Sequence, residues 1–157
     1  AGVANNPSLT DPDAVDTLSH DGSPSVRAAL LRRPLPDSIV DRLSRELPHW
    51  TLEAGWIRRR IRTTGWKGTL MVVNTVGHLA EADWHHTDLA VSYAFVIVKM
   101  CTHASKGITE RDFALARKIE EVLMWQPGLD PGSGLEGTPQ DDARFRYIKY
   151  DAPPAST

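Results

Sequence analysis

The chain has 157 residues, a length that predicts one domain, and carries 18 lysines and arginines against 20 aspartates and glutamates. The net charge of −2 excludes a general nucleic-acid binder or a basic membrane-surface protein, because both depend on long-range attraction to phosphates. Apolar residues make up 41% of the chain without a run long enough to span a membrane. The single cysteine, Cys101, excludes a disulfide framework and a cysteine-based zinc site, and we expect a cytoplasmic location.

Proline and glycine crowd the two ends of the chain and divide it into three predicted parts. Residues 1–36 and 126–157 hold ten of the 11 prolines, whereas residues 37–125 contain only Pro48. This distribution predicts a compact domain at 37–125, between an N-terminal arm at 1–36 and a C-terminal extension at 126–157.

A helix is predicted at the start of the compact domain, because apolar residues recur there at spacings of three and four. Asp37 is expected to cap this helix and Pro48 to end it. The residues on its predicted buried face are Ile39, Val40, Leu43 and Leu47. A β-hairpin is predicted to follow from Trp50 to Thr63, with its turn at Ala54 and Gly55.

A second helix, a strand and a third helix complete the predicted domain. The second helix runs from Lys67 to Trp84, and the stretch from Ala90 to Cys101 predicts a strand that is apolar on both faces and therefore central. Thr109 and Asp112 fit a capping box that opens the third helix, which runs through Trp125. The predicted buried positions of these helices are Leu70, Val73, Val76 and Ala80, then Phe113, Leu115, Ala116, Ile119, Val122 and Leu123. This order predicts an α+β fold with helices packed on one face of a small antiparallel sheet.

The segment Phe145-Arg-Tyr-Ile-Lys-Tyr150 alternates apolar and basic residues and carries three aromatic rings. It is either a short edge strand or strap that ties the extension to the core, or a recognition surface. Exposed aromatic and arginine side chains are common binding anchors, so in the second case Phe145, Tyr147 and Tyr150 would contact a partner.

A second candidate binding surface is the basic run in the predicted hairpin. Arg58, Arg60 and Arg62 share one face of the second strand, and no acidic residue occurs between Glu53 and Glu81. Such a run is either a solvated strand face or a binding site for an anionic partner or an acidic protein surface.

Three of the six histidines, His85, His86 and His103, flank the predicted central strand at its two ends. A strand spans about 3.3 Å per residue, so His85 and His103 can meet only if loops fold back or a neighbouring chain contributes. Histidine titrates near neutral pH, so the cluster suggests proton transfer, while purely structural or surface roles stay open. A metal site is disfavoured, because adjacent histidines usually point in different directions and HExxH spacing is missing. Cys101 lies within the apolar strand and is interpreted as a core residue.

Several separated blocks of the predicted domain form a recognisable pattern. They are Glu81-Ala-Asp-Trp-His85-His86-Thr-Asp-Leu89, Tyr93, Thr102-His103 and Gly107-Ile-Thr-Glu-Arg-Asp112. From about residue 37 to 125 the pattern resembles the pterin-4a-carbinolamine dehydratase family, whose fold has helices over one face of an antiparallel sheet.

The resemblance implies a pterin pocket lined by His85, His86 and His103, with Glu81 nearby. These histidines would act as general acids and bases that expel the 4a-hydroxyl as water, without a metal or another cofactor. Members of the family are dimers or tetramers, so a homodimer is expected. The resemblance also implies that His85 and His86 follow the C-terminal end of a helix.

Two positions depart from the family pattern. Thr87 stands where the family has a proline after the second histidine, and Leu89 stands where it has an aromatic residue. Proline fixes its own φ angle, so Thr87 leaves the histidine loop freer, and Leu89 removes an aromatic wall of the pocket.

With the two arms, residues 135–139 and 145–151 resemble a particular offshoot, the dehydratase-like RuBisCO assembly factor of α-carboxysomes. This resemblance implies a chaperone for the RuBisCO large subunit with little or no dehydratase activity, in the cytoplasm and associated with carboxysomes. An active 4a-hydroxytetrahydrobiopterin dehydratase is the alternative. A binding module with another client is a third possibility, for which the near-neutral charge argues against direct DNA contact.

Overall fold

The computed structural model describes residues 38–151, so the predicted N-terminal arm at 1–36 lies outside the described residues. The helices and strands, in chain order, are α1 (Ile39–Glu46), β1 (Trp50–Glu53), β2 (Trp56–Arg62), α2 (Trp66–Ala82), β3 (Asp88–Ser92), β4 (Phe95–Met100) and α3 (Glu110–Leu123). Short 3₁₀ turns occur at His103–Ser105, Pro127–Leu129 and Ala143–Phe145. Within residues 38–151, no helix has the length and apolar character needed to cross a membrane.

The four strands form one antiparallel sheet in the order β1-β2-β4-β3. Ala54 and Gly55 join β1 to β2 with φ angles of 51° and 79°, as a two-residue hairpin turn requires, so this predicted turn is confirmed. Buried and more exposed residues alternate along β2 and β4, which places the core on one face of the sheet. The helices cover that face, and the predicted α+β fold class is confirmed.

The single strand predicted at 90–101 is wrong, because the chain folds back there into a second hairpin. β3 and β4 pair from Asp88 opposite Lys99 to Ser92 opposite Phe95; of these two strands β4 is an inner strand and β3 lies at the edge of the sheet. The turn between them contains no glycine, proline or asparagine, so the apolar pattern continues through it without a turn signal.

Both α1 and α3 begin with side-chain caps, but the cap of α1 lies one residue later than predicted. The N-cap of α1 is Ser38 rather than Asp37, and its hydroxyl accepts the Asp41 N–H at 3.4 Å. The predicted capping box of Thr109 and Asp112 is confirmed at the start of α3. Two predicted core positions at the margins of the apolar stripes, Val40 and Val122, are exposed.

The buried face of α2 is partly the one that the apolar pattern predicted. Of the predicted buried positions, Val76 and Ala80 are buried, Val73 is partly buried and Leu70 is exposed. Gly68 and Thr69 take the buried positions at the start of the helix. Burial of Thr69 is tolerated because its hydroxyl lies 2.8 Å from the Thr63 hydroxyl.

The C-terminal extension returns to the sheet through Tyr147–Asp151, termed the strap. The Thr64 N–H donates to the first carbonyl of the strap at 3.1 Å, and the Lys149 N–H donates to the Arg62 carbonyl at 2.9 Å. Ile148 between them is buried. Of the two interpretations of the segment from Phe145 to Tyr150, a strap that ties the extension to the core is therefore confirmed, and a recognition surface stays a prediction.

Candidate functional site

The second hairpin brings the three candidate histidines to one end of the sheet. Asp88 at the start of β3 pairs with Lys99 near the end of β4. His85 and His86 precede β3 and His103 follows β4, so all three leave the sheet at the same end. The prediction that they flank opposite ends of one strand is wrong, because the predicted strand is two antiparallel ones.

The C-terminal end of α2 presents the first two histidines in a Schellman motif. Trp84 takes a left-handed φ of 54°, its N–H donates to the Glu81 carbonyl at 3.0 Å, and the His85 N–H donates to the Ala80 carbonyl at 2.9 Å. The Arg111 guanidinium donates to the Trp84 carbonyl at 2.8 Å and supports this turn. The first two histidines thus directly follow a helix C-terminus.

A buried carboxylate positions His85. Its Nε2 lies 2.8 Å from Oδ1 of Asp112, which has no exposed surface. The second oxygen of Asp112, Oδ2, accepts the Thr102 hydroxyl at 2.8 Å and the Thr109 N–H at 2.8 Å. A buried carboxylate with this many partners is well satisfied and fixes the orientation of the imidazole.

From the sequence alone, Asp112 is recognised only as a helix cap. Its contact with His85 joins residues 27 positions apart, which no local pattern predicts. The available signal was its place in the Gly107–Asp112 block that accompanies the histidines.

The other two histidines are exposed. His86 Nε2 lies 2.8 Å from Oε2 of Glu81, and its ring stands edge-on to Trp84 with 5.2 Å between centroids. His103 lies in the 3₁₀ turn after β4, edge-on to Trp56 at 5.6 Å. The site therefore combines one buried, oriented histidine with two that face solvent.

The two positions that depart from the family pattern lie beside this site. Leu89 pairs with Val98 across β3 and β4 and packs against the core. Thr87 is partly buried in the loop that joins the histidines to β3. Leu89 therefore contributes to the core, and it does not supply the aromatic wall that the family has at this position.

The geometry gives less support to a metal site or to a cysteine nucleophile. Within residues 38–151, no group of three or more histidine, cysteine, aspartate or glutamate side chains is arranged to hold a metal ion. Burial raises the pKa of the Cys101 thiol, and the negative charges of Asp112 and Asp88 raise it further. The thiol is therefore protonated at neutral pH and is a poor nucleophile.

The candidate arginines lie on the sheet face that points away from the helices. Arg58 pairs with Glu53, Arg60 stacks over the Phe95 ring at 4.0 Å, and an Arg62 nitrogen lies 3.9 Å from an Asp151 oxygen. Arg58, Arg60 and Arg62 are termed the arginine face. The side chain of Arg62 is 57% exposed, so its charge remains available to solvent or to a partner.

Arg59, in the middle of the basic run, points to the other side of β2 and is buried. Its Nε donates to Glu120 Oε1 at 2.7 Å, and its Nη2 pairs with Asp151. The Trp50 indole N–H donates to the same Glu120 oxygen at 2.8 Å. Arg59 therefore joins the strap to α3, a structural role that sequence reasoning missed.

The three aromatic candidates of the C-terminal segment differ in exposure. Phe145 is half exposed, whereas Tyr147 and Tyr150 are partly buried. Burial, and then a hydrogen bond with the Tyr147 side chain, raise the pKa of Tyr150 above its ordinary value. Phe145 is thus the most accessible of the three.

Comparisons with known proteins agree with this architecture. A family model described as pterin 4 alpha carbinolamine dehydratase matches residues 33–122. The chain is 44% identical over 91 residues to a protein of Aquifex aeolicus named "Putative pterin-4-alpha-carbinolamine dehydratase", which covers 58% of this chain and 92% of the relative. A protein of the same name from Acidobacterium capsulatum is 40% identical over 88 residues, covering 56% and 95%.

A solved structure has the same fold. The crystal structure of a transcriptional coactivator/pterin dehydratase from Brucella melitensis matches with a TM-score of 0.50 and 25% identity, over 53% of this chain and 90% of that one. The chain therefore belongs to the pterin-4a-carbinolamine dehydratase family, a family of lyases. The matched residues end at 122, so the strap lies beyond them.

Proposed function

We propose that this chain is an assembly factor, a chaperone that binds the RuBisCO large subunit, with little or no dehydratase activity. It would act as a homodimer in the cytoplasm, in association with carboxysomes. One observation carries the proposal. Residues beyond the family-matched part, 33–122, fold onto the sheet, and one of them, Asp151, lies 3.9 Å from Arg62 of the arginine face.

The arginine face has the chemistry of a docking surface for an acidic protein. The Arg60 guanidinium is stacked on Phe95 and so is held in place before binding, which lowers the entropy lost on contact. Lys99 adds a cation on the same face, with its Nζ 5.8 Å from the centroid of the Trp56 ring. Arginine and tryptophan are frequent energetic anchors at protein interfaces.

The strap links this face to the C-terminal extension through one carboxylate. Asp151 pairs with the buried Arg59 and lies 3.9 Å from Arg62. A change in the position of the strap would therefore change the charge balance of the arginine face. This link supports a single client surface made of both parts.

The geometry of the histidine site favours little or no dehydratase activity. His86 and His103 are exposed, and Leu89 packs in the core instead of walling a pocket. Thr87 replaces the proline that would fix the histidine loop. A misplacement of about 1 Å in a catalytic group can cost about 100-fold in rate.

Co-expression of RuBisCO with and without this chain tests the proposal. We expect more assembled, active RuBisCO when the chain is present, measured by native gel and carboxylase assay. Arg60→Glu combined with Arg62→Glu is expected to remove the gain. The matched control, Arg45→Glu with Lys67→Glu, makes the same change in net charge at exposed positions on α1 and α2 and is expected to keep it. Equal yields with and without the chain would sink the proposal.

An active 4a-hydroxytetrahydrobiopterin dehydratase is the second candidate, and the buried pair of His85 and Asp112 favours it. With His86 and His103 at the same end of the sheet, the site could bind a pterin and supply the general acid and base that expel the 4a-hydroxyl as water. Stopped-flow dehydration of a 4a-hydroxy-tetrahydropterin measures this activity.

For an active dehydratase, the rate would exceed the spontaneous reaction and fall at least about tenfold in His86→Ala with His103→Ala. His78→Ala, which removes an exposed histidine of α2, would leave the rate unchanged. A rate no faster than the spontaneous reaction would exclude this second function.

A further inference from the structure

The C-terminal extension forms a groove made of two adjoining clefts, of about 410 Å³ and about 550 Å³. Four residues lie in the walls of both clefts, which therefore adjoin; they are Thr138, Gln140, Tyr147 and Tyr150. Trp125 and Phe145 complete the first cleft. Apart from Thr64, which lines the second cleft, the lining residues follow the family-matched part of the chain, so the groove is formed mainly by the extension.

Close backbone packing fixes the shape of this groove. A Cβ added at Gly128 would overlap the Glu136 carbonyl oxygen, and one added at Gly137 would lie 2.8 Å from the Gly128 nitrogen. The Ser133 hydroxyl donates to the Pro127 carbonyl at 2.8 Å and closes the same loop. A groove that is formed before binding loses little conformational entropy when a ligand enters.

The first cleft concentrates exposed apolar surface. Trp125, Leu129 and Phe145 line it with 58%, 71% and 50% of their surfaces exposed. Large apolar side chains kept in water around a concave site add little to the stability of the folded chain. Such a patch marks a binding site.

The polar groups of the groove select the kind of ligand. The Trp125 indole N–H has no hydrogen-bond partner among the described residues, and the Tyr147 and Tyr150 hydroxyls are further polar groups in the wall. A proline-containing segment matches this surface, because its rings pack on aromatic side chains and its carbonyls accept hydrogen bonds. Proline also lacks an N–H that would need an acceptor in the groove.

One acidic side chain, Glu136, lines the first cleft, and it forms no ion pair with another residue of the described range 38–151. An unpaired carboxylate at the edge of an apolar groove favours a ligand that carries a basic side chain.

We infer that this groove binds an extended, proline-containing peptide segment with a basic residue at one end, presented by a protein partner. The inference does not depend on the proposed RuBisCO client, because the groove would recognise such a segment on any protein.

Fluorescence anisotropy tests it with the full chain and a fluorescein-labelled peptide of Pro-Pro-Leu repeats that ends in arginine. We expect saturable binding that weakens at least about tenfold in Trp125→Ala and in Phe145→Ala. Trp66→Ala, which removes an exposed tryptophan of α2 outside the groove, is expected to bind as the natural chain does. Circular dichroism verifies that each variant is folded.

A second peptide with alanine in place of every proline is expected to bind at least about tenfold more weakly. The inference is overturned if the proline peptide does not bind, if both peptides bind equally, or if the Trp125 and Phe145 variants bind normally. Sedimentation velocity of the chain alone tests whether a second copy of the chain occupies the groove. Self-association that Trp125→Ala abolishes would assign the groove to a second copy and would also overturn the inference.

Discussion

Asp112 shows how one buried carboxylate holds two parts of the molecule together. Its Oδ2 accepts the Thr109 N–H at the start of α3 and the Thr102 hydroxyl just after β4, while its Oδ1 faces His85. Because the side chain is wholly buried, these bonds form away from water, where losing one is costly. The start of α3 and the orientation of His85 therefore depend on the same group.

Replacing Asp112 with asparagine is expected to lower the free energy of unfolding by about 2–3 kcal/mol, since hydrogen bonds to charged groups contribute more than neutral ones. Asp41→Asn makes the same change in the first turn of α1, where the side chain is exposed, and should stay within about 0.5 kcal/mol. Urea denaturation measures both variants. A loss for Asp112→Asn no larger than for Asp41→Asn would show that the buried carboxylate does not hold these parts together.

Residue types at the candidate site could be predicted from the sequence, but their partners could not. The arginine run was visible, and strand alternation places Arg59 on the same side as Ile57, which is a signal of burial. Its partners Glu120 and Asp151 are 61 and 92 residues away. No local pattern connects positions so far apart, because the fold itself creates the contact.

At the scale of the elements, the two hairpin turns show which turns a sequence reveals. Gly55 has a positive φ, which glycine adopts at little cost, so its turn is visible in the sequence. The turn at Tyr93 and Ala94 is stabilised by hydrogen bonds from residues outside the hairpin. The Thr63 N–H donates to the Ala94 carbonyl at 2.8 Å, and the Thr69 hydroxyl donates to the Tyr93 carbonyl at 3.0 Å. These tertiary hydrogen bonds stabilise a turn within a stretch whose sequence predicts a single strand.

Gly68 marks the place where the strap touches α2. A Cβ there would overlap the Tyr147 carbonyl oxygen and lie 3.2 Å from the Thr63 Cβ. We expect Gly68→Ala to displace the strap and to lower the free energy of unfolding by about 1–3 kcal/mol. Hydrogen exchange should show faster exchange of the Lys149 N–H of the strap, which donates to the Arg62 carbonyl of β2.

Gly77 in the same helix gives a matched control, for which the expected change in the free energy of unfolding has the opposite sign. Apart from its chain neighbours and the backbone of its own helix, no atom of the described residues lies within 4 Å of its Cβ position. Gly77→Ala is therefore expected to raise the free energy of unfolding by up to about 1 kcal/mol, because alanine is the better helix former. Thermal denaturation compares the two variants. A Gly68→Ala chain that is stabilised as much as Gly77→Ala would mean that the strap does not pack on α2.

At the scale of the whole molecule, one charge network centred on the buried Arg59 ties the extension to the domain. Arg59 from β2 meets Glu120 from α3 and Asp151 from the strap, and Trp50 from β1 bonds to the same glutamate. Arg59 is the buried member of this network, and without its two carboxylate partners its charge would be uncompensated. The strap is therefore held in one position on the sheet.

The fold class was predictable because the helices, the first hairpin and the capping box of α3 all carry local signals. The path of the extension was not predictable beyond the strap at its end. The path depends on the Arg59–Asp151 pair and on the close packing of the Tyr147 backbone against Gly68, which has no side chain. Both are contacts between distant parts of the chain. The grouping of the histidines likewise depends on the second hairpin.

Whether the chain works by binding a protein or by pterin chemistry is tested most directly by separating the two surfaces. RuBisCO assembly would be measured with His86→Ala combined with His103→Ala, both exposed positions, and with Arg60→Glu combined with Arg62→Glu. We expect the histidine variant to support assembly as well as the natural chain does, and the arginine variant to give no more assembled enzyme than its absence. Assembly lost with the histidine variant and kept with the arginine variant would contradict a chaperone that works through the arginine face.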